Sequence, residues 1–319
     1  MIKKIIKIFS IILILGFIYF VNSDYSAVKV TVYKTRTTKS LLKKQIPNIL
    51  LYTGLNYLYS ININNSKSVV ISGFLGKGKA ADSVIEFKKN EYAISNESNA
   101  INICIPSHCS YNNFASTING YYENNQFYNF EGVGDLAFYN GYLYATDVLR
   151  GVIVKININT FKAQEVVSNL LNPHGIYFYN NNLYINLENY NNCSLIKLSV
   201  NNFNNISCVV NLGSYADGVS GYNNTLFIVR DTLSSSGLYS ANVYKINLKS
   251  NTSSLYLSIN KQYIDGIAFN SKNVYAVFRS ANPDVFGTKY YTYSEGVYNI
   301  TGGNVKLLVK GIFDGVNFL

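Results

Sequence analysis

The chain has 319 residues, 48% hydrophobic and only 14% charged, with 29 Tyr, 18 Phe, 22 Gly and 4 Pro. That balance argues against disorder and for a globular chain with a large core, as one large all-β domain or two smaller ones. The net charge of +10 misleads until it is located: residues 1–47 hold nine Lys/Arg and one Asp, leaving only +2 for residues 48–319, so a basic face that binds nucleic acid is not indicated and no nucleic-acid partner is expected.

Lys3, Lys4 and Lys7 open the chain, Ile8 to Val21 form a continuous apolar run, and Val21-Asn22-Ser23 is a small-residue exit. The run is about 14 residues, short of the roughly 20 that a membrane-spanning helix needs. Residues 1–23 therefore read as a cleaved secretory signal peptide, with a retained signal anchor as the alternative and as the chain's only expected membrane contact. Residues 24–47 read as a basic stalk running from Lys29 to Lys44, a solvated linker. The alternating Val28, Val30 and Val32 leave open a segment that pairs with a sheet edge or an acidic surface.

From residue 48 onward one motif recurs: a short apolar strand, a tight turn rich in Asn, and a second apolar strand. Aligning Val84, Leu136, Ile176, Val219, Ile267 and Val316 gives steps of 52, 40, 43, 48 and 49 residues. A period of about 40–50 with four short strands per unit predicts a β-propeller. Residues 48–74 supply three strands, around Ile49–Tyr52, Tyr57–Ile63 and Ser68–Ser72, but no leading strand. The second blade is expected over about 82–131, with an excursion at 104–120. The third, about 133–171, carries an Asn140-Gly141 hairpin turn. The fourth covers 174–212, and the fifth 217–259 with a Ser/Gly-rich loop inserted at 232–241. The sixth covers 265–311, with an insertion at 280–294. Asp314–Leu319 is a leading strand with nothing after it. Pairing it with Ile49–Tyr52 would complete the first blade and leave no open sheet edge. The expected fold is thus an all-β, six-bladed propeller over 48–319, closed by its C-terminal strand. The 45 Asn concentrate between the apolar runs, where Asn tolerates left-handed turn conformations.

Four cysteines in an exported chain read as two disulfides. Cys193 and Cys208 would face each other directly in a hairpin turning at Val200/Asn201. Cys104 and Cys109 enclose a loop of four residues; metal ligation is the rival there, because His108 lies between them. Asn-x-Ser/Thr sequons at Asn64, Asn96, Asn192, Asn205, Asn223, Asn251 and Asn299 are compatible with a glycoprotein.

Pro173-His174-Gly175-Ile176 followed by Leu183-Tyr184-Ile185 resembles the NHL-type repeat, and Leu143-Tyr144-Ala145-Thr146-Asp147 resembles the related YWTD blade. Asn172-Pro173-His174-Gly175-Ile176 and Asp265-Gly266-Ile267 resemble the inner-strand openings of the gluconolactonase and paraoxonase group, six-bladed calcium-dependent hydrolases. The resemblance covers roughly 48–319 through motifs of four to six residues, and it speaks for the fold more than for any one activity. In such propellers the residue before each innermost strand faces the mouth of the central channel. The equivalent positions are Asp82, Gly134, His174, Asp217, Asp265 and Asp314, with Asp135 one place later in the third blade.

The resemblance implies Ca²⁺ as the cofactor, with Asp217, Asp265 and Asp314 as its ligands, and Asp82, Asp135 and His174 as further channel-mouth ligand candidates. Oxygen donors converging on one axis suit that ion. Asp-Gly pairs repeated in blade after blade are equally what turn-forming residues would give, with no cofactor at all. No nucleophile elbow, phosphate-binding Gly loop or metalloprotease motif is present, so no catalytic residue is assigned. The leading expectation is an exported or cell-surface module that binds a protein or glycan partner through its loop-bearing face and channel mouth. The alternative is a calcium-dependent lactonase or esterase.

Overall fold

The computed structural model describes residues 49–318 apart from 55–56, 66, 74, 76–82, 97–98, 106, 111, 189–192, 214–215, 234–238, 280–291 and 311–312. The signal segment 1–23 and the stalk 24–47 lie outside the described residues. Six sheets form the six blades, antiparallel throughout except for one added parallel contact in blade 3. Their innermost strands are Phe313–Phe318, Ser83–Lys88, Val133–Tyr139, Pro173–Tyr179, Ala216–Tyr222 and Tyr263–Phe269, for blades 1 to 6 in order. Each of these strands packs against its two neighbours, so the ring closes. Closure runs as the orphan C-terminal strand requires. Phe313–Phe318 pairs with Ile49–Gly54 through Leu50↔Phe318, Leu51↔Asn317 and Tyr52↔Val316. Among the described residues the sole helical element is one 3₁₀ turn, Thr301–Gly303, and no helix there is long and apolar enough to cross a membrane.

The apolar residues sort into six clusters, one for each interface between neighbouring blades. Successive side chains of a strand point to opposite faces, so an inner strand between two blades needs apolar residues on both. In the second strand of blade 5, Leu226 and Ile228 pack toward blade 4 while Phe227 and Val229 pack toward blade 6. That is why these strands read as continuous apolar runs rather than alternating ones. Burial fades outward: the outermost strand of blade 1, Lys67–Val70, is exposed throughout. Among the described residues, twelve of the fifteen non-glycine residues with positive φ are Asn, so left-handed turns are one use of the abundant Asn.

Four expectations change on the structure. Residues 120–129 do not belong to blade 2, whose outer strand is Ser116–Ile118. They form a hairpin, Gly120–Glu123 with Gln126–Asn129, added to the edge of blade 3 through a parallel contact, Tyr122↔Gln164. Tyr121 and Phe130 anchor it in the core between blades 2 and 3. The expected loop at 232–241 begins and ends as sheet, since Thr225–Leu233 pairs with Tyr239–Asn247 as far as Leu233↔Tyr239; residues 234–238 lie outside the described residues.

The excursion at 104–120 packs into the core and contains the outer strand of blade 2. Its small hairpin, Cys109–Ser110 with Asn113–Phe114, joins the cluster of Leu51, Leu58 and Leu75 through Cys109 and Phe114. Both disulfides form, Cys104–Cys109 and Cys193–Cys208, so Cys104 and Cys109 do not act as thiolate ligands. The hairpin register differs, however. Cys208 lies opposite Ile196 rather than Cys193, and the strands shift register between Leu195 and Ile196. The chain bends at Ser194 and brings Cys193 to a Cα separation of 5.8 Å from Cys208.

Candidate functional site at the channel mouth

The inner strands of blades 3 to 6 break register at one equivalent place: Val133/Leu136, Pro173/Ile176, Ala216/Val219 and Ile264/Gly266. A bulge re-aims the side chain it carries. The residues so placed include Asp135, His174, Asp217 and Asp265, which therefore sit within the first residues of their strands rather than just ahead of them. Neighbouring inner strands come very close here. A Cβ on Gly175 would lie 2.7 Å from the Asp217 carbonyl oxygen and 2.9 Å from the Val219 nitrogen, so only glycine fits.

Side chains here link blades 2 to 6 in succession. Asp135 accepts from the Ser83 hydroxyl of blade 2, from its own neighbour's amide at Leu136 (2.8 Å) and from the Ile176 amide of blade 4 (3.2 Å). The Thr146 hydroxyl donates to the His174 carbonyl across the same interface (2.7 Å). His174 Nδ1 lies 3.0 Å from Asp217 Oδ1 of blade 5, a charge contact, and its Nε2 lies 3.9 Å from Glu188 Oε1. The Tyr263 hydroxyl of blade 6 donates to Asp217 Oδ2 (2.6 Å) and is 3.3 Å from Asp265 Oδ1. Arg279 pairs with Asp265 at 2.9 Å. Asn186 Nδ2 donates to the Asp217 carbonyl (2.6 Å), and Asp231 accepts from the Ile264 amide (3.4 Å). Three buried oxygens here, Asn186 Oδ1, Asp217 Oδ1 and Asp231 Oδ2, meet no hydrogen-bond donor among the described residues.

Crowding carboxylates out of water raises their pKa. Burial lifts Asp217 to about 7, with His174 opposing and Asp265 and Glu188 adding to the rise. Burial and the nearby Asp217 push Asp231 well up, and burial also raises Asp135 against the bonds from Ser83 and the two amides. Burial pulls the His174 imidazole down, but Asp217, Glu188, Asp135 and Asp265 outweigh it and bring it to about 9. At neutral pH the imidazolium is thus the cation that answers Asp217. Tyr263 is driven well above its ordinary value by burial and the surrounding carboxylates, so it remains a donor.

Of the residues singled out in the sequence, the structure gathers His174, Asp217 and Asp265 into one network and sets Asp135 in a second, joined through blade 4. Asp82 and the side chain of Asp314 lie outside the described residues, so the set Asp217, Asp265 and Asp314 is described only in part. Glu188, Asp231, Tyr263, Arg279 and Asn186 belong to the site without having been anticipated. Four of these five lie at or near the ends of second strands, and the register pairs those ends with inner-strand starts, as in Tyr263↔Arg279 and Ala216↔Arg230. That pairing was the available signal. Calcium takes six to eight oxygen ligands. Asp265 is held by Arg279 and Tyr263, Asp217 by Tyr263, and the group facing Asp217 is a nitrogen base. The donors that converge among the described residues fit calcium poorly.

No family model matches the sequence, and no curated protein matches it. Among solved structures, a chain of a nidogen/laminin complex is similar with a TM-score of 0.62 and 11% identity, over 84% of this chain and 97% of its own. The extracellular domain of a one-component system, BT4673 from B. thetaiotaomicron, matches 82% of this chain and 35% of its own, with a TM-score of 0.48 and 13% identity. At such identities the first likeness speaks for the fold alone. The chain is a six-bladed β-propeller.

Proposed function

We propose that this protein is an extracytoplasmic binding module that engages a protein or glycan partner on the mouth face of its propeller. The observation that carries this reading is how the polar groups at the mouth are used. Asp135, His174, Asp217, Tyr263, Asp265 and Arg279 are spent on contacts between and within blades. The blade 5 hairpin meanwhile continues three residue pairs beyond Ala216↔Arg230, to Leu233↔Tyr239. Rigid scaffolds that carry extended connections at one end serve recognition well. The strand ends carrying 280–291, Arg279 and Gly296, leave from and return to the same face.

The nidogen/laminin complex contains this fold in a protein–protein assembly, which supports the partner class. Two disulfides and the apolar leader support secretion or display at the cell surface. The sequon residues Asn64, Asn205, Asn223 and Asn251 are at least partly exposed, as glycosylation requires. The rival lactonase or esterase needs carboxylates free to converge on one calcium ion, and Asp217 and Asp265 are instead held by protein groups.

The test replaces residues 232–240 with an Asn-Gly turn and compares both proteins on glycan arrays and against extracellular-matrix proteins. Saturable binding by the parent, lost in the shortened variant at unchanged melting temperature, supports the module. Calcium-dependent lactone or ester turnover that disappears in Asp217→Asn overturns it.

A further inference from the structure

We propose that a cleft at the outer rim of blades 3 and 4 binds a neutral oligosaccharide. It encloses about 410 Å³, within the roughly 300–1,000 Å³ of small-ligand pockets. Blade 3 has six strands and blade 4 has four. The added hairpin of blade 3 therefore extends beyond the outer strand of blade 4, Asn202–Val210, and its face on that side has no strand of blade 4 opposite it. Tyr122 and Gln164 line one wall of the cleft, and Phe203 and Ile206 the other.

The wall on blade 3 is an aromatic platform. Tyr122 lies opposite Phe127 in the hairpin and opposite Gln164 across the parallel contact, and residues paired across strands share a face. Tyr121, one place earlier, is buried in the core with Phe130, so alternation turns Tyr122 the other way. Gly120 makes room beside it. A Cβ there would lie 2.9 Å from the tip of the Phe127 ring, so that ring lies across the glycine. Its centroid is 5.3 Å from that of Tyr122, with the planes at 65°. Tyr122 and Phe127 are nevertheless 52% and 48% exposed. Two rings fixed by a glycine and by each other, yet open to solvent, lose little side-chain freedom when a ligand stacks on them.

Lining chemistry selects the class of ligand. Asn124, Gln164 and Asn204 bring side-chain amides to the cleft, each able to donate and accept. Sugar hydroxyls do both as well, and the C–H face of a pyranose is attracted by the negative face of an aromatic ring. Amides beside an exposed ring therefore match a carbohydrate. Among the described residues the cleft is lined by Glu123 and Glu165 but by no Lys, Arg or His. Burial raises Glu165 above the ordinary carboxylate range, against its bond from Ser168, and Glu123 adds to the rise. A further anion would be repelled by both carboxylates, so acidic sugars are disfavoured. An extended peptide would need apolar pockets for alternate side chains, whereas most residues lining this cleft are polar. The cleft lies on outer strands and the mouth on inner ones, so the inference does not rest on the partner-binding reading.

The experiment uses the full chain, exported from a host that attaches no N-glycans, because Asn205 stands between the lining residues Asn204 and Ile206. Cello-, malto-, manno-, xylo- and chitotetraose are titrated by calorimetry beside tetragalacturonate and sialyllactose. At least one neutral probe should bind saturably, and the acidic probes should not. Its affinity should fall about tenfold in Tyr122→Ala but be largely kept in Tyr122→Phe, which retains the ring. Gln164→Ala should cost about fivefold. Tyr122 and Gln164 are both exposed, so these variants should keep the parent melting temperature. Binding should also persist when residues 232–240 are replaced by an Asn-Gly turn, which separates the cleft from the mouth face. No binding of any neutral probe, tighter binding of an acidic one, or equal losses in Tyr122→Phe and Tyr122→Ala would each overturn the proposal. So would affinity unchanged in Tyr122→Ala and Gln164→Ala, or lost with residues 232–240. A displayed peptide library yielding binders sensitive to Tyr122→Ala, with no sugar bound, would make the cleft a peptide site instead.

Discussion

Replacing His174 and Asp217 together, by Gln and Asn, is expected to remove most of the alkaline sensitivity of this fold. The double change matters because a single one would leave a buried partner unpaired. The folded pKa of His174, about 9, lies above its ordinary 6.5. Its contribution to stability is therefore complete below pH 6.5 and is lost as the pH rises through 9. At about 1.4 kcal/mol per pKa unit, that contribution is roughly 3 kcal/mol. Asp217 is raised from 3.8 to about 7 and has the same sign in a lower window, complete below 3.8 and lost by the time the pH passes 7. The fall at alkaline pH thus belongs to the imidazole, which faces Asp217, Glu188, Asp135 and Asp265. For a protein of this size 3 kcal/mol is a melting-temperature change of roughly 5 °C. The assay is thermal unfolding by circular dichroism, in EDTA, from neutral pH to just above 9. Asp231 and Tyr263 also titrate and are themselves raised in part by Asp217, so the difference between the two slopes reports the His174–Asp217 pair together with its effect on them. Parallel melting-temperature profiles for the parent and the double variant would refute the assignment.

Two further outcomes follow from the ring. Ending the chain after Ile312 removes the strand that pairs with Ile49–Gly54, which should expose that edge and the interface of blade 1 with blades 2 and 6. A melting transition sharply lowered or broadened is expected, and an unchanged one would show that closure adds nothing to stability. Gly175→Ala puts a methyl group 2.7 Å from the Asp217 carbonyl oxygen, where backbone must move, so a loss of about 1–3 kcal/mol is expected in chemical denaturation. Gly141→Ala serves as the comparison: its Cβ meets open space but its φ is +81°, and the cost there should be only the left-handed strain of about 1 kcal/mol. Equal losses at both positions would mean that the inner strands are not in the tight contact described.

Much of the architecture was legible along the chain because each blade repeats the same local demands. Asn140-Gly141 and Asn180-Asn181 adopt left-handed turns that few other residues tolerate. The strands they join must be apolar on both faces, and that pair of demands returns once per blade. Blade number followed from the period, and closure from a leading strand with no successor. Which elements meet across blades could not be read in the same way. The hairpin 120–129 is separated from blade 2 by one residue, yet its edge bonds go to Gln164, because a sheet edge accepts whichever strand tertiary packing brings to it. Cys193 meets Cys208 although the register is displaced, since a bulge absorbs the difference and bulges leave no periodic trace. At the mouth, His174 and Asp217 stood out by their repeat position, but Glu188, Tyr263 and Arg279 did not. Glu188 and Arg279 meet inner-strand residues of their own blades through the hairpin register, whereas Tyr263 reaches Asp217 from the next blade's inner strand, a separation that only the closed ring sets. Local pattern was enough for the units and their number. Which charges face one another was left to the folded ring, because interblade contacts join residues tens of positions apart with no local pattern between them.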